Sequence, residues 1–96
     1  MHSDPRLLLV FFTSRQSGPA RRMESLLAHV ARKERDQLDV KKVDIDERPD
    51  IARRFRVDKS PALVLLKDRR VVARIDGRTT TPRIEEMLAS HIRVAV

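Results

Sequence analysis

Leu7-Leu8-Leu9-Val10-Phe11-Phe12-Thr13-Ser14-Arg15-Gln16-Ser17-Gly18-Pro19-Ala20 is the stretch whose reading decides the fold. Its first seven residues are apolar or β-prone and are bounded by turn formers, the pattern of a buried strand. Beyond them Met23, Leu26, Leu27 and Val30 recur at helical spacing. Ser17 is placed to cap that helix, and Pro19 is tolerated in its first turn, where a missing N–H has no partner to lose. A strand therefore ends and a helix begins within a few residues. The free N–H groups and the positive dipole end of the helix face whatever occupies the turn. Any chemistry in this chain is expected there.

Working outward from that junction, the helix is predicted from Pro19 to Arg35. Leu38 to Ile45 reads as a second strand, with apolar residues on both parities as in a parallel strand covered on both faces. Pro49 opens a short helix reaching Arg56, whose inward side is Ile51, Ala52 and Phe55. Ala62 to Leu66 is the most apolar run left and reads as a central strand. A turn at 67–70 and a return strand from Val71 to Ile75 complete a hairpin, ended by Asp76-Gly77. Thr81-Pro82 caps and opens a last helix with Ile84, Met87, Leu88 and Ile92 inward. The order β-α-β-α-β-β-α implies a right-handed parallel pair followed by an antiparallel hairpin. It predicts an α/β fold with a mixed four-stranded sheet and helices on both faces.

Composition bounds the function. The chain has 96 residues, 41% apolar and 36% charged, which suits one soluble domain over 1–96 with flexible ends at 1–6 and 93–96. No apolar run approaches the roughly 18 residues that span a membrane, and the N-terminus lacks the pattern of a signal peptide. A cytoplasmic protein that does not engage membranes is expected. There is no cysteine, which excludes disulfides, thiolate metal sites and thiol redox chemistry by this chain. The net charge of +7 favours acidic partners. That charge is uneven: residues 15–35 carry six basic and two acidic side chains, and residues 36–50 carry three and six.

The element order and loops resemble the thioredoxin superfamily over essentially the whole chain. Leu9-Val10-Phe11-Phe12 followed by Gln16-Ser17-Gly18-Pro19-Ala20 is similar to the family strand that leads into Trp-Cys-Gly-Pro-Cys. Val43-Asp44-Ile45-Asp46, Pro49, Ala52, Phe55 and Val57 match the second half of the family pattern. Ser60-Pro61-Ala62 looks like its cis-proline loop, and Gly77 its late glycine. The resemblance implies a trimmed thioredoxin-like fold that starts at the strand normally second. The departures carry the functional argument. Both redox cysteine positions are degenerate, as Ser17 and Ala20. Phe11 stands where the family has a buried acid that assists proton transfer, and Gln16 where it has tryptophan.

The site expected from these residues is a binding surface. No catalytic residue, metal ligand or cofactor is expected. A nucleophilic Ser17 would need an adjacent base, and His2, His29 and His91 have no evident route to it. Capping is its bland role, and contact with a bound anion or peptide the remaining one. In the family, the backbone before the cis-proline pairs with an extended client peptide, and such pairing needs no cysteine. Gln16, Ser17, Gly18, Pro19, Lys59, Ser60 and Pro61 are therefore the candidate partner contacts. Arg15, Arg21 and Arg22 are candidate anion contacts, and with Arg53, Arg54 and Lys59 they could border the helix start. Lys42 matches a family lysine near the missing acid and is expected to reach solvent or another carboxylate.

Three functions follow from this reading. The leading one is a redox-inactive module that binds a protein or peptide. A basic module for nucleic acid or another polyanion is the alternative, although the chain has no Tyr or Trp for base stacking. A glutathione-type ligand-binding protein comes third. Strand 39–45, without the family's first strand beside it, is expected at a sheet edge where a homodimer or partner strand could add.

Overall fold

The computed structural model describes residues 7–15 and 18–92, except for the side chain of Pro19. The ends expected to be flexible, and the Ser17 cap, lie outside the described residues. Within them the predicted order is found: β1 (Leu7–Thr13), α1 (Gly18–Lys33), β2 (Leu38–Asp44), α2 (Pro49–Arg54), β3 (Ala62–Lys67), β4 (Arg70–Asp76) and α3 (Thr81–Ala89). The sheet runs β2-β1-β3-β4, with β1 parallel to β2 and antiparallel to β3, and β3 antiparallel to β4.

The period of two along β1 divides the core into two halves. Leu7, Leu9 and Phe11 point to one face, where Ala20, Met23, Leu27 and Val30 of α1 and Ile84 and Leu88 of α3 cover them. Val10 and Phe12 point to the other, against Ala52 of α2, Val57, and Val64 and Leu66 of β3. Phe55 closes this second half, its ring centroid 5.8 Å from that of Phe12 in a tilted pair. β2 contributes to both faces, Leu38 and Val40 to the first and Val43 to the second, where Ile45 joins it just past the strand's end. Only Leu38 of β2 is fully buried, so the strand is less covered than its apolar residues alone suggest.

Several boundaries differ from the expected ones, for local reasons. α1 ends at Lys33 rather than Arg35, because residues 34–37 close into turns in which Gln37 and Leu38 N–H both donate to the Glu34 carbonyl. α2 ends at Arg54 rather than Arg56. Arg56 adopts φ +56°, and Arg56 and Val57 N–H donate to the carbonyls of Arg53 and Ala52. That pair of bonds is a Schellman stop, sealed by the apolar partners Val57 and Ala52. Thr80, not Thr81, caps α3: its hydroxyl accepts from the Arg83 N–H at 3.4 Å. Thr81 and Pro82 occupy the first turn instead. The β3–β4 turn places both Asp68 and Arg69 in the left-handed region, the geometry of a type I′ hairpin whose twist matches the strands.

Candidate functional site

The end of β1, the start of α1 and the loop before β3 meet at one end of the sheet. Pro61 is buried behind a cis Ser60–Pro61 bond, and the half-buried Ser60 hydroxyl lies 3.5 Å from the Phe12 carbonyl. Gly77 N–H donates to the Pro61 carbonyl at 2.9 Å, tying the end of β4 to this loop. Gly77 has φ +85°, which a side chain rarely adopts. The structure thus brings Ser60 and Pro61 against the strand that leads into Gly18. Lys59 is exposed beside them, and Gly18 is exposed at the first position of α1. Gln16 and Ser17 lie outside the described residues, as does the side chain of Pro19.

Ala20 is fully buried, in the same apolar cluster as Phe11. These two positions stand where the resembling family keeps its second cysteine and its acid. Here both side chains are hydrocarbon within a buried apolar cluster, and neither can take up a proton. Lys42 lies opposite Phe11 in the β1–β2 register but carries its charge outward, donating to Glu24 Oε1 of α1 at 3.0 Å. It thus finds another carboxylate, as the sequence suggested.

A cleft of about 420 Å³ opens beside this end of the sheet, lined by Thr13, Ser14, Arg15, Arg21, Glu24, Lys42, Asp44 and Glu47. Its charges balance, three cations against three carboxylates. Arg15 Nη2 donates to Glu47 Oε2 at 2.7 Å and its Nε lies 4.0 Å from Asp44 Oδ2. Arg21 shares the cleft, while Arg22, Arg53, Arg54 and Lys59 do not line it. Of the basic residues that could border the helix start, Arg15 and Arg21 line this cleft, and Arg15 is matched by acids.

Three contributors were not singled out in the sequence. Asp44 Oδ1 accepts from the N–H groups of Asp46 and Glu47 at 2.7 and 3.3 Å, a side-chain turn that presents both acids toward β1. Ser14 Oγ then donates to Asp46 Oδ2 at 2.8 Å. Arg74 of β4 reaches over the sheet to the C-terminal end of α2, donating to the Phe55 carbonyl at 2.9 Å and the Arg56 carbonyl at 3.3 Å. Asp76 holds the same guanidinium at 2.8 Å. Residues 55–58 lead from α2 into the Lys59-Ser60-Pro61 loop, so this tie lies just before that loop in the chain. The Asp-x-Asp-Glu order after a strand is the one local signal that could have marked the first of these. Among the described residues no helix is long and apolar enough to cross a membrane.

A sequence model of the family described as Thioredoxin matches residues 1–90. Thioredoxin H2 of Arabidopsis thaliana is 39% identical over 72 residues, covering 75% of this chain and 53% of that protein. Thioredoxin of Mycobacterium tuberculosis is 36% identical over 75 residues, covering 78% and 65%. The chain thus spans between half and two thirds of the length of these relatives. Among solved structures, the germline-specific thioredoxin Deadhead of Drosophila melanogaster superposes with a TM-score of 0.86 at 28% identity, covering 93% of this chain and 84% of that one. A mutant thioredoxin of Halobacterium salinarum gives a TM-score of 0.87 at 23% identity, covering 96% and 80%, a likeness of fold.

Proposed function

This chain belongs to the thioredoxin family, and we propose that it is a redox-inactive member that binds an extended peptide or protein segment. The contact surface runs over Gly18 and the Lys59-Ser60-Pro61 loop, together with Gln16, Ser17 and Pro19. The observation that carries this reading is the retained loop. The Ser60-Pro61 loop packs at the end of β1, with Ser60 Oγ 3.5 Å from the Phe12 carbonyl, and is tied to Gly77, while the chain has no cysteine. On this reading the loop's backbone serves binding without any reactive atom beside it. Pairing through main-chain N–H and C=O groups needs neither a thiol nor a proton acceptor. The acids that match Arg15 in the neighbouring cleft favour this reading over a polyanion site, which needs a field of one sign.

The test is a scan of immobilised extended peptides against the purified chain, with each binder then made with its backbone N-methylated. Binding that is lost on N-methylation, lost in Ser60→Pro and only weakly dependent on salt supports the reading. Affinity only for polyanions, with a steep salt dependence, overturns it. So does turnover of a protein disulfide above the uncatalysed rate in dithiothreitol.

A further inference from the structure

The two flanks of the β1 end differ in how their charges are matched. On the β2 side, Arg15 is held by Glu47 at 2.7 Å and Lys42 by Glu24 at 3.0 Å. On the β3 side, the Ser60-Pro61 loop has a cation at each approach. Lys59 precedes it in the chain and is exposed. Arg78, also exposed, follows Gly77, whose N–H donates to the Pro61 carbonyl just beyond the last β3–β4 pair, Ala62 with Asp76. Neither cation has a carboxylate partner among the described residues. Asp76, the acid nearest Arg78 in sequence, is taken by Arg74 at 2.8 Å. Asp58, the one acid between Phe55 and Pro61, is balanced in net charge by Arg56. From Gly77 to Arg83 the chain carries no acid.

We infer that the segment docked on this loop is acidic, with a carboxylate side chain on each side of the residue that pairs with the loop backbone, one for Lys59 and one for Arg78. The inference rests on the peptide-binding reading and adds to it the chemical class of the partner. A segment laid over the loop strips water from both cations. With neutral neighbours that desolvation is uncompensated, and with basic ones repulsion is added. With Glu or Asp, each cation gains the partner it lacks within the chain. In an extended peptide the residues before and after a given one share a face, so both carboxylates can turn toward the loop at once. The net charge of +7 draws such a segment in from solution. Two exposed ion pairs give a shallow dependence on salt, unlike the steep one of a polyanion that neutralises many cations.

The test takes a peptide found by the immobilised-peptide scan and remakes it with Glu, Gln or Lys on both sides of the residue whose N-methylation abolishes binding. At low salt the Glu-flanked peptide should bind about tenfold more tightly than the Lys-flanked one, with Gln between them. An exposed pair is worth up to about fivefold, and each exchange also removes a repulsion. The preference should shrink to about threefold or less in about 0.5 M sodium chloride. In the Lys59→Glu, Arg78→Glu double variant the order should invert, the Lys-flanked peptide binding best. Both substitutions alter exposed side chains, and an inverted preference is a gain that a misfolded chain does not produce. Peptides that bind, lose affinity on N-methylation and take Glu and Lys flanks alike overturn this inference and leave the peptide-binding reading standing. A preference that survives the double exchange overturns it as well. A scan in which no peptide binds overturns both. A single-stranded oligonucleotide of equal charge that displaces the Glu-flanked peptide as readily as free peptide does overturns it in favour of a polyanion site.

Discussion

Replacing Arg74 by alanine should loosen α2 and the loop that follows it without touching the sheet. α2 has six residues and no side-chain cap at its N-terminus, so it is marginal by itself. Its C-terminal end is held by the Arg74 fork, one bond at 2.9 Å and one at 3.3 Å, from a side chain that is 34% exposed. A hydrogen bond from a charged donor contributes about 1.5–3 kcal/mol when shielded. Partial exposure reduces that to about 1 kcal/mol for the short bond and about 0.5 kcal/mol for the long one. The Asp76 pair is mostly solvated and adds little. The expected loss is about 1.5 kcal/mol, or roughly 6–12 °C in Tm for a domain of this size. Urea denaturation followed by circular dichroism reads the total. Hydrogen exchange should place the loss in α2 and the 55–60 loop. Arg74→Lys keeps the charge near the helix end but not the fork, and should recover about half. A change below about 0.5 kcal/mol in Arg74→Ala, or full recovery by lysine, would refute the reasoning.

Two further outcomes follow from backbone and charge. Arg56 and Arg69 hold left-handed conformations that glycine adopts freely, so Arg56→Gly and Arg69→Gly should each raise stability by about 1 kcal/mol in the same denaturation assay. Lys33 and Glu85 join α1 to α3 at 2.7 Å; their hydrogen bond raises the lysine above its ordinary pKa and lowers the carboxyl below its own. Glu85 therefore adds stability that is present above the ordinary carboxylate value and lost as pH falls through its folded value. Lys33 adds stability that is present below the ordinary lysine value and lost as pH rises through its folded value. Glu85→Gln should flatten both limbs of the stability-against-pH curve, and NMR titration should find the wild-type Glu85 carboxyl ionising early.

The sequence carried the element order because each element announces itself over a short window: the Leu7–Thr13 run, the helical spacing of Met23 to Val30, the Ala62–Leu66 run. The edge position of β2 came from the resemblance, in which the family's first strand has no counterpart here. The ends of elements were less visible. The stop of α2 is made by Arg56 in a conformation usually marked by glycine or asparagine, so no residue type pointed to it, and the hairpin turn was legible in place but not in its left-handed Asp68 and Arg69. At the site, the Ser60-Pro61 loop was readable as a motif. The ties of Arg15 to Glu47 and of Arg74 to Phe55 were not, because they join residues 32 and 19 positions apart and depend on how β2, α2 and β4 settle on the sheet.

Phe11 and Ala20 share one buried cluster, and that packing makes the interior resist an installed dithiol. A thiol placed at position 20 would sit in hydrocarbon, its pKa raised and its sulfur slow to react. An acid placed at position 11 would bury a carboxyl where a phenyl ring now packs, at a cost of several kcal/mol. Cysteines engineered at 17 and 20 would therefore still lack a proton acceptor, and supplying one at 11 would weaken the very core that holds them.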